Sequence, residues 1–123
     1  MNWLMIFIGG GIGSIFRFWA SKSVQNLIGL SFPLGTLFVN LTGSLIIGFL
    51  GGLAESRGLF NDTLRALIFI GFLGGYTTFS TFSFETFQLV KSSEIFYAIL
   101  SVILHIALGY LSVWLGYILA KII

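Results

Sequence analysis

Gly74-Gly75-Tyr76-Thr77-Thr78-Phe79-Ser80-Thr81-Phe82-Ser83 sets a glycine pair, five serine or threonine hydroxyls and two phenylalanines in the middle of a long apolar stretch. In hydrocarbon every backbone N–H and C=O must find a partner inside the protein. Non-helical backbone therefore persists there only where protein or a polar cavity surrounds it. A run of this composition reads as a built interruption, and it predicts a third membrane helix broken near its middle. Residues 64–73 give about 15 Å of helix and residues 80–90 about 16 Å, which puts a Gly74–Thr78 break near the bilayer midplane. Carbonyls left unpaired where the first half ends suit a small cation, and the N–H groups that open the second half suit an anion.

The remainder of the chain fits a membrane setting. With 57% hydrophobic and 8% charged residues among 123, and a mean hydropathy of +1.05, there are too few polar groups to cover a soluble domain. One all-α integral membrane domain, residues 1–123, is expected. A helix needs roughly 20 apolar residues to cross a bilayer, and four stretches reach that length, at about 3–27, 33–53, 64–90 and 95–121. Pro33 opens the second, where a missing N–H is harmless. Asp62 or Thr63 is expected to cap the third and Ser93 the fourth. The first span starts at Met1-Asn2-Trp3 without a cationic leader region and is expected to be retained as a helix. The net charge of +2 is spread thinly, which argues against a nucleic-acid surface. The absence of cysteine excludes disulfides and thiolate metal sites.

Lysine and arginine set the orientation of membrane helices. Four spans put Arg57, Arg65 and Lys121 on one side and Lys22 and Lys91 on the other, with Arg17 nearby if it snorkels. So even a split leaves two solutions open: insertion both ways up, or one topology imposed by the first helix or the C-terminal charge. Small or polar residues recur one turn apart in Gly9-x-x-x-Gly13, Gly10-x-x-x-Ser14, Gly48-x-x-x-Gly52 and Ser101-x-x-x-His105-x-x-x-Gly109, a pattern that lets helix backbones approach closely. Sixteen glycines are more than four short helices can use among themselves, so an oligomer is expected.

Thr36, Asn40 and Ser44 form a polar stripe on one face of the second span. An asparagine at that depth either bonds across helices or lines water. Ser101 and His105 share a face of the fourth span. The carboxylates Glu55, Asp62, Glu85 and Glu94 lie at or near span ends, Glu85 deepest. Paired acids, a metal-binding cluster and a nucleophile–base set are all missing, so neither enzyme chemistry nor proton coupling through a buried acid is expected. Phe79 and Phe82 share a face beside the hydroxyls of Ser80, Thr81 and Ser83. Aromatic rings carry a positive edge, so two phenylalanines turned edge-on to a narrow path can solvate an anion without holding it as tightly as an arginine.

Taken together, Gly71-Phe72-Leu73-Gly74-Gly75-Tyr76-Thr77-Thr78-Phe79-Ser80-Thr81-Phe82-Ser83-Phe84-Glu85 resembles the signature of the Fluc (CrcB) fluoride channels. Gly9-Gly10-Gly11-Ile12-Gly13-Ser14 with Arg17, and Pro33-Leu34-Gly35-Thr36-Leu37-Phe38-Val39-Asn40-Leu41, resemble the first and second segments of that family. The resemblance implies an antiparallel, dual-topology homodimer in the plasma (inner) membrane of a prokaryote. It implies a passive, fluoride-selective pathway, two per dimer, that lowers cytoplasmic fluoride. By matching the motif, the carbonyls of Gly74 and Thr77 would hold a structural sodium ion shared between two chains. Asn40 would donate to fluoride, Phe79 and Phe82 would be the edge-on pair, and Ser80, Thr81 and Ser83 would supply hydroxyls. Arg17 would sit toward an aqueous vestibule, and Glu85 toward one pore end. Ser101 and His105 are the fourth-helix candidates, where the match is weaker. Tyr76 departs from the smaller apolar residue often found at its position. The partners implied are fluoride, a second copy of the chain and membrane lipid.

The chemistry is coherent on its own terms. Fluoride is small and strongly hydrated, so its path must replace water with several donors that each bind weakly enough to release it. Amide, hydroxyl and ring-edge donors in series meet that need, and a constriction built for fluoride excludes the larger chloride. A small multidrug exporter would need an ionisable acid at mid-depth in the first span, which has none. A non-transporting scaffold accounts for the glycines but not for the hydroxyl-rich interruption.

Overall fold

The computed structural model describes residues 2–123, and every regular element among them is helical. In chain order these are α1 (Asn2–Ile28), α2 (Leu34–Arg57), the short α3 (Asp62–Arg65), a π-helical segment (Ala66–Leu73), α4 (Gly74–Tyr76), α5 (Phe79–Lys91) and α6 (Ile95–Ile122). Four stretches are long and apolar enough to cross a membrane: Asn2–Ile28, Leu34–Arg57, Asp62–Lys91 and Ile95–Ile122. They match the four spans read from the sequence, with ends moved by the chemistry of the caps.

Past residue 53, α2 continues to Arg57 because Gly58 adopts φ 59° and returns its N–H to the Ala54 carbonyl, a glycine stop. The third span is capped by Asn61, whose side chain accepts from the Leu64 N–H at 2.8 Å, and not by Asp62 or Thr63. Ser93 does not cap the fourth span either. It takes φ 62°, and the bonds Ser93 N–H to Val90 O at 3.1 Å and Glu94 N–H to Leu89 O at 2.8 Å make it the left-handed terminator of α5. The α1–α2 turn is stitched by Gln25, which donates to Leu30 O at 2.7 Å and Phe32 O at 2.9 Å and accepts from Gly35 N–H at 3.0 Å.

Packing pairs α2 with α6 and α1 with the third span. Glycine makes both pairings possible. At Gly13 a Cβ would run into the Phe72 carbonyl, and at Gly48 into the Val113 carbonyl of α6, so backbone touches backbone at these crossings. The small core gathers Ala20, Val39 and Tyr76, with Phe72 against it. Around it runs a belt of exposed apolar side chains that includes Phe7, Ile15, Trp19, Phe96, Ile103 and Trp114, as a surface in contact with lipid or another helix requires.

The third span is the irregular one. Gly74, Gly75 and Tyr76, expected inside the interruption, are helical; the extended backbone is confined to Thr77 (φ −87°, ψ 158°) and Thr78 (φ −153°, ψ 119°). The π turns that precede it over Ala66–Leu73 were not foreseen.

Candidate functional site

Two adjacent β-branched residues, which favour extended backbone, carry the interruption between α4 and α5. In an unbroken helix the Thr78 N–H would bond to Gly74 O. Here it donates to Asn40 Oδ1 at 2.8 Å, and the Thr78 carbonyl accepts from Asn40 Nδ2 at 3.0 Å. One side chain from α2 thus pairs both backbone groups of the displaced residue, as low-dielectric surroundings demand. Thr78 also serves as N-cap of α5, its Oγ1 accepting from the Thr81 N–H at 3.2 Å. Thr77 turns both its N–H and its hydroxyl to Leu73 O, at 3.0 and 2.9 Å.

The carbonyls bear the consequence. Gly74 O loses its helical donor to Asn40, and Thr77 O loses the Thr81 N–H to the Thr78 hydroxyl. Gly75 O is taken by Arg17, whose Nε donates to it at 2.9 Å. Arg17 is therefore bonded to the end of α4, while its surroundings remain those of a polar cavity.

Three cavities follow one another along the subunit. The outermost, of about 580 Å³, is lined by Lys22, Glu85, Gln88 and Glu94 among others. It shares Ser21 and Thr36 with a second, of about 260 Å³, to which Ser14, Arg17 and Thr81 contribute. That one shares Thr78 with a third, of about 460 Å³, lined by Asn40, Gly74, Thr77, Phe79, Phe82 and His105 among others. In the third cavity the Phe79 and Phe82 rings meet edge to face, with centroids 5.6 Å apart and planes at 68°. Phe82 in turn lies against His105, with centroids 3.9 Å apart.

The sequence-expected residues therefore fall into groups. Asn40, Phe79, Phe82, His105, Gly74 and Thr77 converge on one cavity, Arg17 and Thr81 on the next, and Glu85 on the mouth. Ser80 is exposed, its hydroxyl 3.4 Å from that of Thr78. Ser83 is exposed on α5 and borders none of the three. Ser101 is buried at 1% exposure. Its carbonyl meets His105 Nδ1 at 2.9 Å, and its hydroxyl, like Glu85 Oε1, is a buried atom without a protein partner.

Two features escaped sequence reasoning. Ser14 and Ser21 line the second cavity beside Arg17; their i, i+3, i+7 spacing on one helical face was the available signal. Tyr76 is buried, stacked on Phe72 at 5.9 Å and hydrogen-bonded through its hydroxyl to Thr42 at 2.9 Å. Nothing local in the sequence pairs those two residues. Among the described residues no group of three or more His, Cys, Asp or Glu side chains could hold a metal.

These elements define a small multi-pass helical membrane protein with a polar, aromatic-lined cavity beside an irregular turn. Residues 4–117 match the family described as "CrcB-like protein, Camphor Resistance (CrcB)", and the chain belongs to that family. It is 47% identical to the "Fluoride-specific ion channel FluC" of Coxiella burnetii (strain CbuK_Q154) over 98% of each chain. It is 45% identical to the protein of that name from Aquifex aeolicus (strain VF5), over 93% of this chain and 92% of the relative. To "Fluoride-specific ion channel FluC 1" of Methanosarcina acetivorans it is 43% identical, over 95% of this chain and 88% of the relative. The family resemblance carried by Gly71–Glu85 is borne out.

Proposed function

We propose that this protein is a fluoride-selective ion channel, not an enzyme, that lets fluoride leave the cell passively down its gradient and so relieves fluoride toxicity. The observation that carries the reading is the third cavity. It sets the amide of Asn40 beside the edge-to-face pair Phe79 and Phe82, a series of weak donors suited to a small, strongly hydrated anion. The Thr81 hydroxyl continues the series into the second cavity. Arg17 draws anions toward the second cavity, and Glu85 sits at the mouth.

The working unit in this reading is an antiparallel homodimer, inserted both ways up in a prokaryotic plasma membrane, with the Thr77–Thr78 irregularity of each third span near mid-membrane. Its support is the even charge split, the belt of exposed apolar side chains, and the helical glycines Gly11 and Gly51, which have open space where a Cβ would stand. The carbonyls of Gly74 and Thr77, deprived of their helical donors, fit a sodium ion held jointly with a second copy; such an ion supplies positive charge that ties the two breaks together.

The test is fluoride efflux from liposomes. Efflux should be fast, chloride efflux undetectable beside it, and Phe82→Ile should slow fluoride by about tenfold, the equivalent of ~1.4 kcal/mol of lost ion solvation. Equal leakage of the two halides would overturn the channel reading. Unchanged dimers and unchanged flux after thorough removal of sodium would overturn the cation alone.

A further inference from the structure

His105 is the only histidine of the chain, and two partners together fix its state. Nδ1 lies 2.9 Å from the Ser101 carbonyl, which can only accept, so Nδ1 carries a proton. Nε2 lies 3.1 Å from Asn40 Nδ2. The Asn40 amide cannot be flipped, because its oxygen accepts the Thr78 N–H and its nitrogen donates to the Thr78 carbonyl. Nε2 must therefore offer a lone pair to the remaining Asn40 N–H. The ring is neutral in this arrangement, and both N–H groups of Asn40 are occupied.

Asn40 and His105 both line the phenylalanine-lined cavity. On the reading that this chain conducts fluoride, we propose that His105 is a positioning residue: as the neutral Nδ1–H tautomer it holds the Asn40 amide aimed into the pathway, and its protonation shuts the pathway down. A neutral imidazole is an acceptor that fluoride can displace, so the Asn40 N–H, which keeps its proton, turns its hydrogen bond from Nε2 to the ion and back as the ion moves on. A protonated ring presents N–H against N–H, turns the amide away from Thr78 and the cavity, and binds fluoride through a charge-assisted bond too strong for rapid release. No charged side chain lines this cavity, and Tyr110 is the only other titratable group there. Across the turn, Arg17 is bonded to Gly75 O, and Glu85 lies one helical turn beyond Phe82 on α5. Neither is a partner that could take over the proton of His105.

Two measurements test this. In liposomes with the same pH on both sides, and with the leak of protein-free vesicles subtracted, wild-type fluoride efflux should fall about tenfold as the pH is lowered from about 8 to about 5. His105→Gln keeps an uncharged acceptor at every pH. Whatever its level near neutrality, its efflux should change less than about twofold over the same range. Parallel profiles for the two proteins, or wild-type efflux that rises in acid, would overturn the role of His105 while leaving the channel reading intact. A wild type that moves no fluoride at any pH would overturn both. If His105→Gln does not assemble, the unique imidazole still reports. In ¹⁵N-histidine-labelled wild type near neutral pH, Nδ1 should be protonated and Nε2 bare, and the opposite tautomer would sink the assignment.

Discussion

Asn40 replaces a stretch of helix with one side chain. Its carboxamide has the donor–acceptor pattern of a peptide group, so it can pair with Thr78 as a neighbouring strand would, while its second N–H meets His105 Nε2. Two substitutions separate its tasks. Asn40→Ala strands both backbone groups of Thr78, each worth about 1–3 kcal/mol when partly buried. It should lower the thermal midpoint of the detergent-solubilised protein and cut fluoride efflux by more than about tenfold. Asn40→Asp keeps the acceptor for the Thr78 N–H but turns an oxygen toward the Thr78 carbonyl and removes both donors. Its efflux should be as poor as that of the alanine variant, and flux at the wild-type level would show that no amide donor is needed. The role of Asn40 was only half legible in the sequence. Its stripe with Thr36 and Ser44 marked a polar face, whereas the identity of its partner, 38 residues away, depends on how α2 lies against the third span.

At the level of elements, span number and length followed from the apolar runs, because hydrocarbon thickness leaves little freedom. What stayed hidden depends on contacts between spans. A glycine pair looks like the place for a helix to fail, yet Gly74 and Gly75 remain helical and the extended backbone falls to Thr77 and Thr78, where Asn40 and the Thr78 hydroxyl supply the missing partners. The π turns over Ala66–Leu73 leave the apolar pattern unchanged and so send no signal in composition. The glycine spacing, by contrast, was informative, since Gly13 and Gly48 do sit where backbones meet. Gly48→Ala places a methyl against the Val113 carbonyl and forces α2 and α6 apart. A loss of about 1–3 kcal/mol is expected, with Gly48→Val worse. Thermal melts in detergent should rank the three proteins wild type, alanine, valine. An alanine variant as stable as wild type would mean that the crossing can widen freely.

For the whole molecule the decisive question is how the chain sits in the bilayer. Orientation follows the lysines and arginines that flank the spans, and Arg57, Arg65 and Lys121 at one end are nearly balanced by Lys22, Lys91 and the deeper Arg17 at the other. A dual-topology dimer turns that balance into a requirement, since a strong bias would leave one orientation without partners. The chain has no cysteine, so single cysteines can report each end separately. Leu59, 54% exposed in the α2–α3 connection, and Ser92, exposed at the end of α5, lie on opposite sides if the four spans alternate. With a membrane-impermeant maleimide applied outside intact cells, Leu59→Cys and Ser92→Cys should each label to about half of the level reached after permeabilisation, as even insertion both ways requires. A single topology would instead label one position fully and spare the other. It would exclude the antiparallel dimer and, with it, a cation shared between two oppositely oriented breaks.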